Sequence, residues 1–171
     1  MRPCVYIFGG YNIGLFHLGA LKTCEKINLQ SRKWTCQSNM KKGRYLFNPC
    51  KYSGWIYLCG EGSLRIEAFS PSANLMTQLA LPKLPETESG CCMYVFNNLL
   101  VVHSRNHIHK FASGPDGQLF RRTQEKSSKP VNKCSNSQPV LDSAHALFFI
   151  VRREVCLCIE MKTGVVLQKF A

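Results

Sequence analysis

The sequence predicts an all-β fold built from repeated units of four short antiparallel strands. Apolar runs recur at a spacing of roughly 42 to 50 residues, a period typical of repeat architectures. Turn-forming residues stand just before each run from the second onward, and an alternating segment with a polar turn follows each run. Four strands in such a period are typical of one blade of a β-propeller.

The apolar runs are predicted to be the second strand of each unit. They lie at residues 5–10, 55–60, 99–102 and 147–151. The later three follow the turn-like pairs Ser53-Gly54, Asn97-Asn98 and Asp142-Ser143, and a further short apolar segment precedes each pair. Strand, tight turn and strand form a β-hairpin, so these segments are predicted to be strands one and two.

The alternating segments are predicted to form strands three and four. Alternation with a period of two is typical of strands exposed on one face, and it occurs at residues 24–34, 64–75, 107–119 and 155–167. In each unit, one apolar residue stands just before the polar turn: Leu29, Phe69, Phe111 and Ile159. Another stands shortly after it: Trp34, Leu75, Leu119 and Val165. The residues of each set are predicted to occupy equivalent positions in their units. The best helix candidate, residues 72–81, lies between Pro71 and Pro82, and the repeat favours a strand there.

The first unit resembles the kelch motif, in which an apolar strand ends in two glycines and a tryptophan, a methionine and a basic residue follow. The matching residues are Val5-Tyr6-Ile7-Phe8-Gly9-Gly10, Ile27-Asn28-Leu29, Trp34, Met40 and Arg44. The second unit keeps Tyr57, Gly60, Phe69 and Pro71, but has Cys59 for the first glycine and Leu75 for the tryptophan. The resemblance implies a kelch-like β-propeller in which Gly9, Gly10, Trp34 and Gly60 are structural motif residues.

The paired glycines Gly9 and Gly10 also raise the possibility of a phosphate-binding loop, which the following residues exclude. Walker-type loops need Gly-Lys-Ser/Thr at the start of a helix, and dinucleotide-binding folds need G-x-G-x-x-G before one. Here Tyr-Asn-Ile-Gly-Leu-Phe follows Gly10, with no lysine and no helix start. A glycine also permits positive φ where a strand ends and lets bulky rings pack on the backbone, so a structural role is predicted.

The repeats predict one domain whose blades span residues 1–40, 41–82, 88–122 and 136–171, the first without its initial strand. Kelch propellers usually close with six or seven blades, so about 3.5 to 4 blades make a partial or incomplete ring. Three alternatives follow. The chain is a fragment or a divergent member of the family, it closes as a four-bladed ring, or it self-associates through exposed blade edges.

Composition narrows the classes of function and location. The chain has 171 residues, 22 Lys and Arg against 10 Asp and Glu, and a net charge of +12, which favours acidic partners. No apolar stretch approaches the roughly 20 residues of a membrane helix, and glycine, tyrosine and asparagine come too early for a secretory leader. The ten cysteines are irregularly spaced without a CxxC pair, which favours reduced thiols in a cytoplasmic protein and no structural zinc.

The candidate site is a basic face formed by loops at one side of the predicted blades. The loops between strands two and three carry Arg65, Arg105, Arg152 and Arg153, and the first loop between blades carries Lys41, Lys42 and Arg44. The long first loop, residues 11–23, adds the apolar residues Ile13, Leu15, Phe16 and Leu18. They are suited to cover a pocket or to anchor a partner, and the alternative is that they pack over the propeller face. Because guanidinium groups bind carboxylates and phosphates in a bidentate manner, the expected partner is a protein with an acidic or phosphorylated segment. The alternative is that these charges only keep the protein in solution.

These features favour a non-enzymatic interaction module without a cofactor. Kelch proteins serve as scaffolds, ubiquitin-ligase substrate receptors or actin-binding proteins. The resemblance therefore implies a role of this type for the chain. The alternatives are a metal-dependent, oxidase-like enzyme in the propeller funnel and a nucleic-acid-binding protein. His103, His107 and His109 lie close in sequence, but no Asp or Glu stands between Glu88 and Asp116 to support a metal site. Few aromatic residues interleave the basic loops, which disfavours nucleic acid.

Overall fold

The computed structural model describes residues 3–14, 17–45, 47, 49–60, 63–79, 92–103, 107–126, 139–142, 147–151, 156–160 and 166–170. Within these ranges every regular element is a β-strand, so the prediction of an all-β fold is confirmed. The strands are β1 Cys4–Phe8, β2 Tyr11–Gly14, β3 His17–Ala20, β4 Cys24–Asn28, β5 Trp34–Cys36, β6 Cys50–Tyr52, β7 Trp55–Gly60, β8 Ser63–Ser70, β9 Leu75–Gln78, β10 Cys92–Phe96, β11 Leu99–His103, β12 His107–Ser113, β13 Leu119–Lys126, β14 Pro139–Asp142, β15 Leu147–Val151, β16 Cys156–Glu160 and β17 Val166–Phe170.

The strands form four antiparallel sheets in chain order and one separate hairpin. Sheet one contains β1, β4 and β5, and sheets two, three and four contain β6–β9, β10–β13 and β14–β17, each paired in sequence order. The hairpin consists of β2 and β3 and lies in the segment that the sequence assigns to a long loop. In sheet three, β13 continues to Lys126, four residues past the predicted end of the third unit. Residues 75–78, inside the helix candidate, form strand β9.

Two of the predicted hairpin turns have the backbone geometry that suits twisted strands. In the turn between β6 and β7, Ser53 and Gly54 have φ of +47° and +81°. In the turn between β10 and β11, Asn97 and Asn98 have φ of +49° and +54°. Positive φ at both central residues is the feature of type I′ turns, whose twist matches that of the flanking strands. Glycine and asparagine tolerate this conformation best, which explains most of these turn residues.

The strand register corrects three of the equivalences between units. Val5 pairs with Ile27, which pairs with Trp34. Ile56 pairs with Phe69, which pairs with Met76. Ile27, and not Leu29, therefore corresponds to Phe69, and Met76, not Leu75, corresponds to Trp34. Counted along the strands from these pairs, Gly9 corresponds to Gly60 and not to Cys59. A shift of one residue moves a side chain to the opposite face of its sheet, so this correction decides which residues face each other.

Sheet two is buried between sheets one and three. The face of a sheet that is turned toward the preceding sheet is called here its leading face, and the other its trailing face. On the leading face of sheet two, Ile56, Leu58, Phe69 and Met76 pack with Tyr6, Phe8 and Cys24 of sheet one. On its trailing face, Tyr57, Cys59, Ile66 and Ala68 pack with Leu100, Val102 and Phe111 of sheet three. Tyr6 and Tyr57 are equivalent in register, so both interfaces join a trailing face to the next leading face.

Aromatic rings and buried hydroxyls align the stacked sheets. The ring centroids of Tyr6 and Phe8 lie 5.5 and 5.6 Å from that of Phe69, in edge-to-face geometry, which is favourable for aromatic pairs. Between sheets two and three, the Tyr52 hydroxyl donates to the Asn98 carbonyl at 2.7 Å, and the Tyr57 hydroxyl donates to the Gly117 carbonyl at 3.1 Å. These bonds satisfy polar groups that stacking would otherwise leave without water.

Gly9 and Gly60 stand where a side chain would collide. Gly9 has φ of +61°, and a Cβ there would come within 2.4 Å of the Arg44 carbonyl oxygen. Gly60 has φ of +150°, and its Cβ would come within 2.4 Å of the Phe47 Cβ. Gly9 directly follows β1 and Gly60 is the last residue of β7. At both positions the absence of a Cβ allows the segment before β6 to pass close to the backbone.

Candidate functional site

The candidate site lies at the edge where β1 and β7 end and β4 and β8 begin, called here the loop edge. Antiparallel pairing brings these strand ends together, and backbone hydrogen bonds join them to the segment between sheets one and two. The Gly10 amide donates to the Arg44 carbonyl at 2.9 Å, and the Arg44 amide donates to the Leu21 carbonyl at 3.0 Å. The Met40 amide donates to the Lys22 carbonyl at 2.8 Å. Residues 40–44 therefore have a defined place beside residues 21–22.

Arg44 is buried and forms an ion pair, so it does not belong to the exposed basic face on which the sequence places it. Its Nη2 lies 3.1 Å from Oε1 of Glu67, and the two side chains are 0% and 1% exposed. Arg44 also donates to the carbonyls of Gly60, at 3.5 Å, and Arg65. A guanidinium needs such compensation when it loses water. Arg44 thus links sheet two to the segment that follows sheet one.

The same carboxylate holds the turn that carries Lys41 and Lys42. The backbone amide of Lys41 donates to Oε2 of Glu67 at 2.7 Å, and that of Lys42 donates to Oε1 at 3.3 Å. Both lysines are exposed, as is the neighbouring Lys22, and none of the three forms an ion pair with a carboxylate in the described part of the chain. The loop edge therefore presents three ammonium groups, and two of them belong to a turn whose backbone amides bind a buried carboxylate.

Arg65 is exposed and lies within β8, not in the loop before it. With the Gln78 amide oriented so that its oxygen faces the guanidinium, Nε and Nη1 of Arg65 donate to it at 3.2 and 2.8 Å. A guanidinium has five N–H donors, and this contact uses two of them to orient Arg65. The other predicted partner-binding residues, Arg105, Arg152, Arg153 and Phe16, lie outside the described residues.

The β2–β3 hairpin adds an apolar element beside the lysines. Its base packs on the segment between sheets one and two: the Tyr11 and Tyr45 rings meet edge to face at 5.1 Å. Gly43 allows this approach, because a Cβ there would come within 2.2 Å of the Ala20 carbonyl oxygen. Ile13 is 82% exposed. The Ile13 side chain is therefore accessible to another molecule.

Sequence analysis missed Lys22 and Glu67 as parts of this edge. Lys22 precedes the third strand of its unit by two residues, so the antiparallel order of strands would have placed it with Lys41 and Lys42. Glu67 lies in an alternating segment and gives no local sign of burial. Its role depends on Arg44, which is 23 residues away in sequence.

A groove of about 670 Å³ opens between sheets one and two near the opposite edge. Its walls include Tyr6, Lys26, Lys51, Ile56 and Pro71. The Lys26 Nζ lies 5.6 Å from the Tyr6 ring centroid, within the range of a cation–π contact. Burial raises the pKa of Tyr6 above its ordinary value, and the charge of Lys26 opposes that shift. Positive charge is therefore not confined to the loop edge. The loop edge differs from the groove because it also has an ordered turn at Lys41 and Lys42 and an apolar hairpin beside it.

The described residues hold no cluster that suggests metal binding or thiol catalysis. No three His, Cys, Asp or Glu side chains among them are placed to share a metal ion; the rings of His107 and His109 lie 5.9 Å apart. Cys4, Cys24, Cys36 and Cys50 are free thiols. Burial raises the pKa of Cys24 to about 12 and that of Cys50 to about 11, so both remain protonated near neutral pH and are poor nucleophiles.

No family model matches the chain, and no curated protein matches it. In the ranges that the structure describes, there is no helix of the length and apolar character needed to cross a membrane.

Proposed function

We propose that the chain is a kelch-type β-propeller module of about 3.5 to 4 blades that binds a partner protein and catalyses no reaction. Antiparallel sheets stacked head to tail in chain order support the propeller, as does glycine where the second strands of sheets one and two end. The kelch resemblance extends the proposal to a cytoplasmic scaffold or a ubiquitin-ligase substrate receptor. In either role, an acidic or phosphorylated segment of the partner docks at the loop edge.

The observation that carries this proposal is the fixed turn at Lys41 and Lys42. The Glu67 carboxylate binds Arg44 and the backbone amides of Lys41 and Lys42. It therefore does not neutralise the exposed ammonium groups of these lysines. A backbone ordered before binding lowers the entropy cost of association. Ion pairs between these lysines and an acidic partner would contribute to specificity and a fast association rate more than to affinity. Each exposed ion pair contributes only about 0.2–1 kcal/mol.

Affinity then requires an apolar contact, and the hairpin offers one. Full burial of an isoleucine side chain stabilises a complex by roughly 1.5–3 kcal/mol, and Ile13 is almost fully exposed. The expected partner segment therefore combines Asp, Glu or phosphoserine residues with one large apolar residue. The acidic groups contact Lys22, Lys41 and Lys42, and the apolar residue packs on the hairpin.

Fluorescence anisotropy with defined peptides tests this arrangement. The probes are a labelled peptide of glutamate, serine and phenylalanine, its phosphoserine form, and a version with glutamine in place of glutamate. The double variant Lys41→Glu/Lys42→Glu should weaken binding of the acidic probes at least about tenfold, since two attractions become repulsions. Ile13→Ser should weaken binding by about tenfold or more, from the loss of apolar burial.

The matched control is Arg32→Glu/Lys33→Glu, which makes the same change in net charge at exposed residues of the β4–β5 turn, on the opposite edge. It should change affinity less than twofold. An equal loss in both double variants would show that net charge, and not the loop edge, attracts the peptides. Tighter binding of a single-stranded RNA of equal charge, with the same dependence on Lys41 and Lys42, would overturn the proposal in favour of nucleic acid.

A further inference from the structure

The groove between sheets one and two is the part of their interface that side chains leave open. Toward the loop edge, Phe8 and Cys24 of sheet one pack with Leu58 of sheet two, and Cys24 and Leu58 are fully buried. Toward the opposite edge the groove begins, and small residues such as Cys4 and Gly54 line it. A Cβ at Gly54 would meet open space. The groove, of about 670 Å³, has the size of a small-molecule site.

Each wall of the groove contributes one lysine. Lys26 pairs with Tyr6 across β4 and β1, so both lie on the trailing face of sheet one. Lys51 pairs with Ile56 across β6 and β7, so both lie on the leading face of sheet two. All four residues line the groove. Two lysine side chains therefore border the same space from opposite sides.

The described carboxylates do not balance these two charges. No Asp or Glu is among the described residues that line the groove, and neither Lys26 nor Lys51 forms an ion pair in the described part of the chain. Glu25 directly precedes Lys26 in β4, so it lies on the other face of sheet one. The groove therefore attracts anions. Two lysines match the charge of about −1.5 to −2 that a phosphate monoester carries near neutral pH.

The uncharged walls favour an anion with a flat apolar body. Tyr6, Ile56 and Pro71 line the groove, and each of them is only partly buried. The faces of stacked sheets lie about 10 Å apart, so a gap that side chains leave open between them is flat. An aromatic ring fits such a gap and can pack against the ring of Tyr6.

We propose that this groove is the binding site for a small molecule in which an aromatic ring carries a phosphate monoester. The phosphate lies between Lys26 and Lys51, and the ring packs against Tyr6, Ile56 and Pro71. The site goes beyond the proposed function, because it binds a second ligand with none of the residues assigned to the partner segment. Lys51 is exposed, and an exposed ion pair is weak. We therefore expect a dissociation constant of about 0.1–1 mM.

Isothermal titration calorimetry with naphthyl phosphate tests the proposal on the full chain. Naphthol has the ring alone and inorganic phosphate has the charge alone. Naphthyl phosphate should bind at least about tenfold more tightly than either, because it makes both kinds of contact. Equal affinity for inorganic phosphate or for naphthol would overturn the proposed class of ligand.

Lysine variants test the two walls. Lys26→Gln and Lys51→Gln should each weaken the binding of naphthyl phosphate by about threefold to tenfold, since each removes one charge-assisted hydrogen bond to the phosphate. Because Lys51 is exposed, its replacement leaves the packing of the two sheets intact. Lys41→Gln is the matched control, because it removes the same charge at the loop edge, and it should leave the affinity unchanged. An equal loss in Lys41→Gln would overturn the proposal.

Backbone amide NMR locates the ligand. Addition of naphthyl phosphate should shift the amide signals of Gly54 and Ser72, which line the groove, and not those of Lys41 and Lys42. Changes confined to the loop edge would overturn the proposal. A phosphotyrosine peptide that shifted the same groove signals and bound more tightly than naphthyl phosphate would overturn the assignment to a small molecule.

The two proposals can fail separately. Binding of acidic peptides at the loop edge depends on Lys41 and Lys42, so Lys26→Gln and Lys51→Gln should leave it intact. Failure of naphthyl phosphate to bind would overturn the groove site alone.

Discussion

Replacement of Glu67 by glutamine should destabilise the fold far more than the same replacement at Glu25, although both residues occupy equivalent strand positions. Glu67 lies 3.1 Å from Arg44, and both side chains are buried, whereas Glu25 is exposed. Removal of one partner of a buried ion pair costs about 3–5 kcal/mol, since it leaves an uncompensated charge. An exposed substitution usually changes stability by no more than about 0.5 kcal/mol.

Urea unfolding in dilute solution, monitored by circular dichroism, measures the change in the free energy of unfolding for each variant. Thermal unfolding, monitored in the same way, measures the change in melting temperature. For a chain of this size, each kcal/mol corresponds to roughly 2–4 °C in melting temperature. Glu67→Gln should therefore lower the melting temperature by about 6–20 °C, and Glu25→Gln by about 2 °C or less. Glutamine keeps the size of glutamate and one acceptor for the Lys41 amide, so the difference reports mainly the lost charge.

A double-mutant cycle separates the ion pair from the loss of general packing. Arg44→Met, Glu67→Gln and the double variant should show a coupling of at least about 1 kcal/mol, as residues in direct contact do. The reasoning would be refuted if Glu67→Gln destabilised the chain by less than about 1 kcal/mol, or if the two single effects simply added.

Two further predictions concern stability. Gly9→Ala should cost at least about 2 kcal/mol more than Gly54→Ala in the same urea assay. Both positions have positive φ, but a Cβ at Gly9 would collide with the Arg44 carbonyl and one at Gly54 would meet open space; equal losses would contradict the collision. Burial raises the pKa of Cys24 from 9.0 to about 12, so above pH 9 the unfolded chain releases this proton while the folded chain keeps it. Stability should fall between pH 9 and 10 by up to about 1.4 kcal/mol from this thiol, and Cys24→Ala should flatten that dependence; an unchanged slope would show that other groups cause it.

Local pattern in the sequence predicts most of the strands and many of the turns, but not strands β2 and β3. Alternation and turn pairs such as Asn97-Asn98 depend on neighbouring residues only, so they are visible without tertiary contacts. Register is different, because it is decided by pairing across strands. Spacing along the chain predicts that Trp34 corresponds to Leu75, but the pairing of Ile27 with Trp34 and of Phe69 with Met76 shows that Trp34 corresponds to Met76.

The candidate site was predicted less well, for the same physical reason. Lys41 and Lys42 are exposed as expected, but Arg44, three residues after Lys41, is buried. A basic residue in a loop normally indicates exposure, and the burial of Arg44 depends on a carboxylate in the next sheet. The hairpin at residues 11–20 was also missed, since it interrupts the repeat and has no counterpart among the other described units.

Strands β2 and β3 pair only with each other, and this has a consequence for how the sequence can change in evolution. The Leu21 amide donates to the Gly10 carbonyl at 2.8 Å, so the inserted segment leaves the sheet and returns to it at adjacent points. Lengthening such an insert costs only a slowly growing closure entropy, and the spacing between Phe8 and Cys24, which pair directly, does not depend on its length. A change in the length or sequence of the β2–β3 hairpin can therefore alter what the loop edge binds, while the sequence of sheet one stays the same.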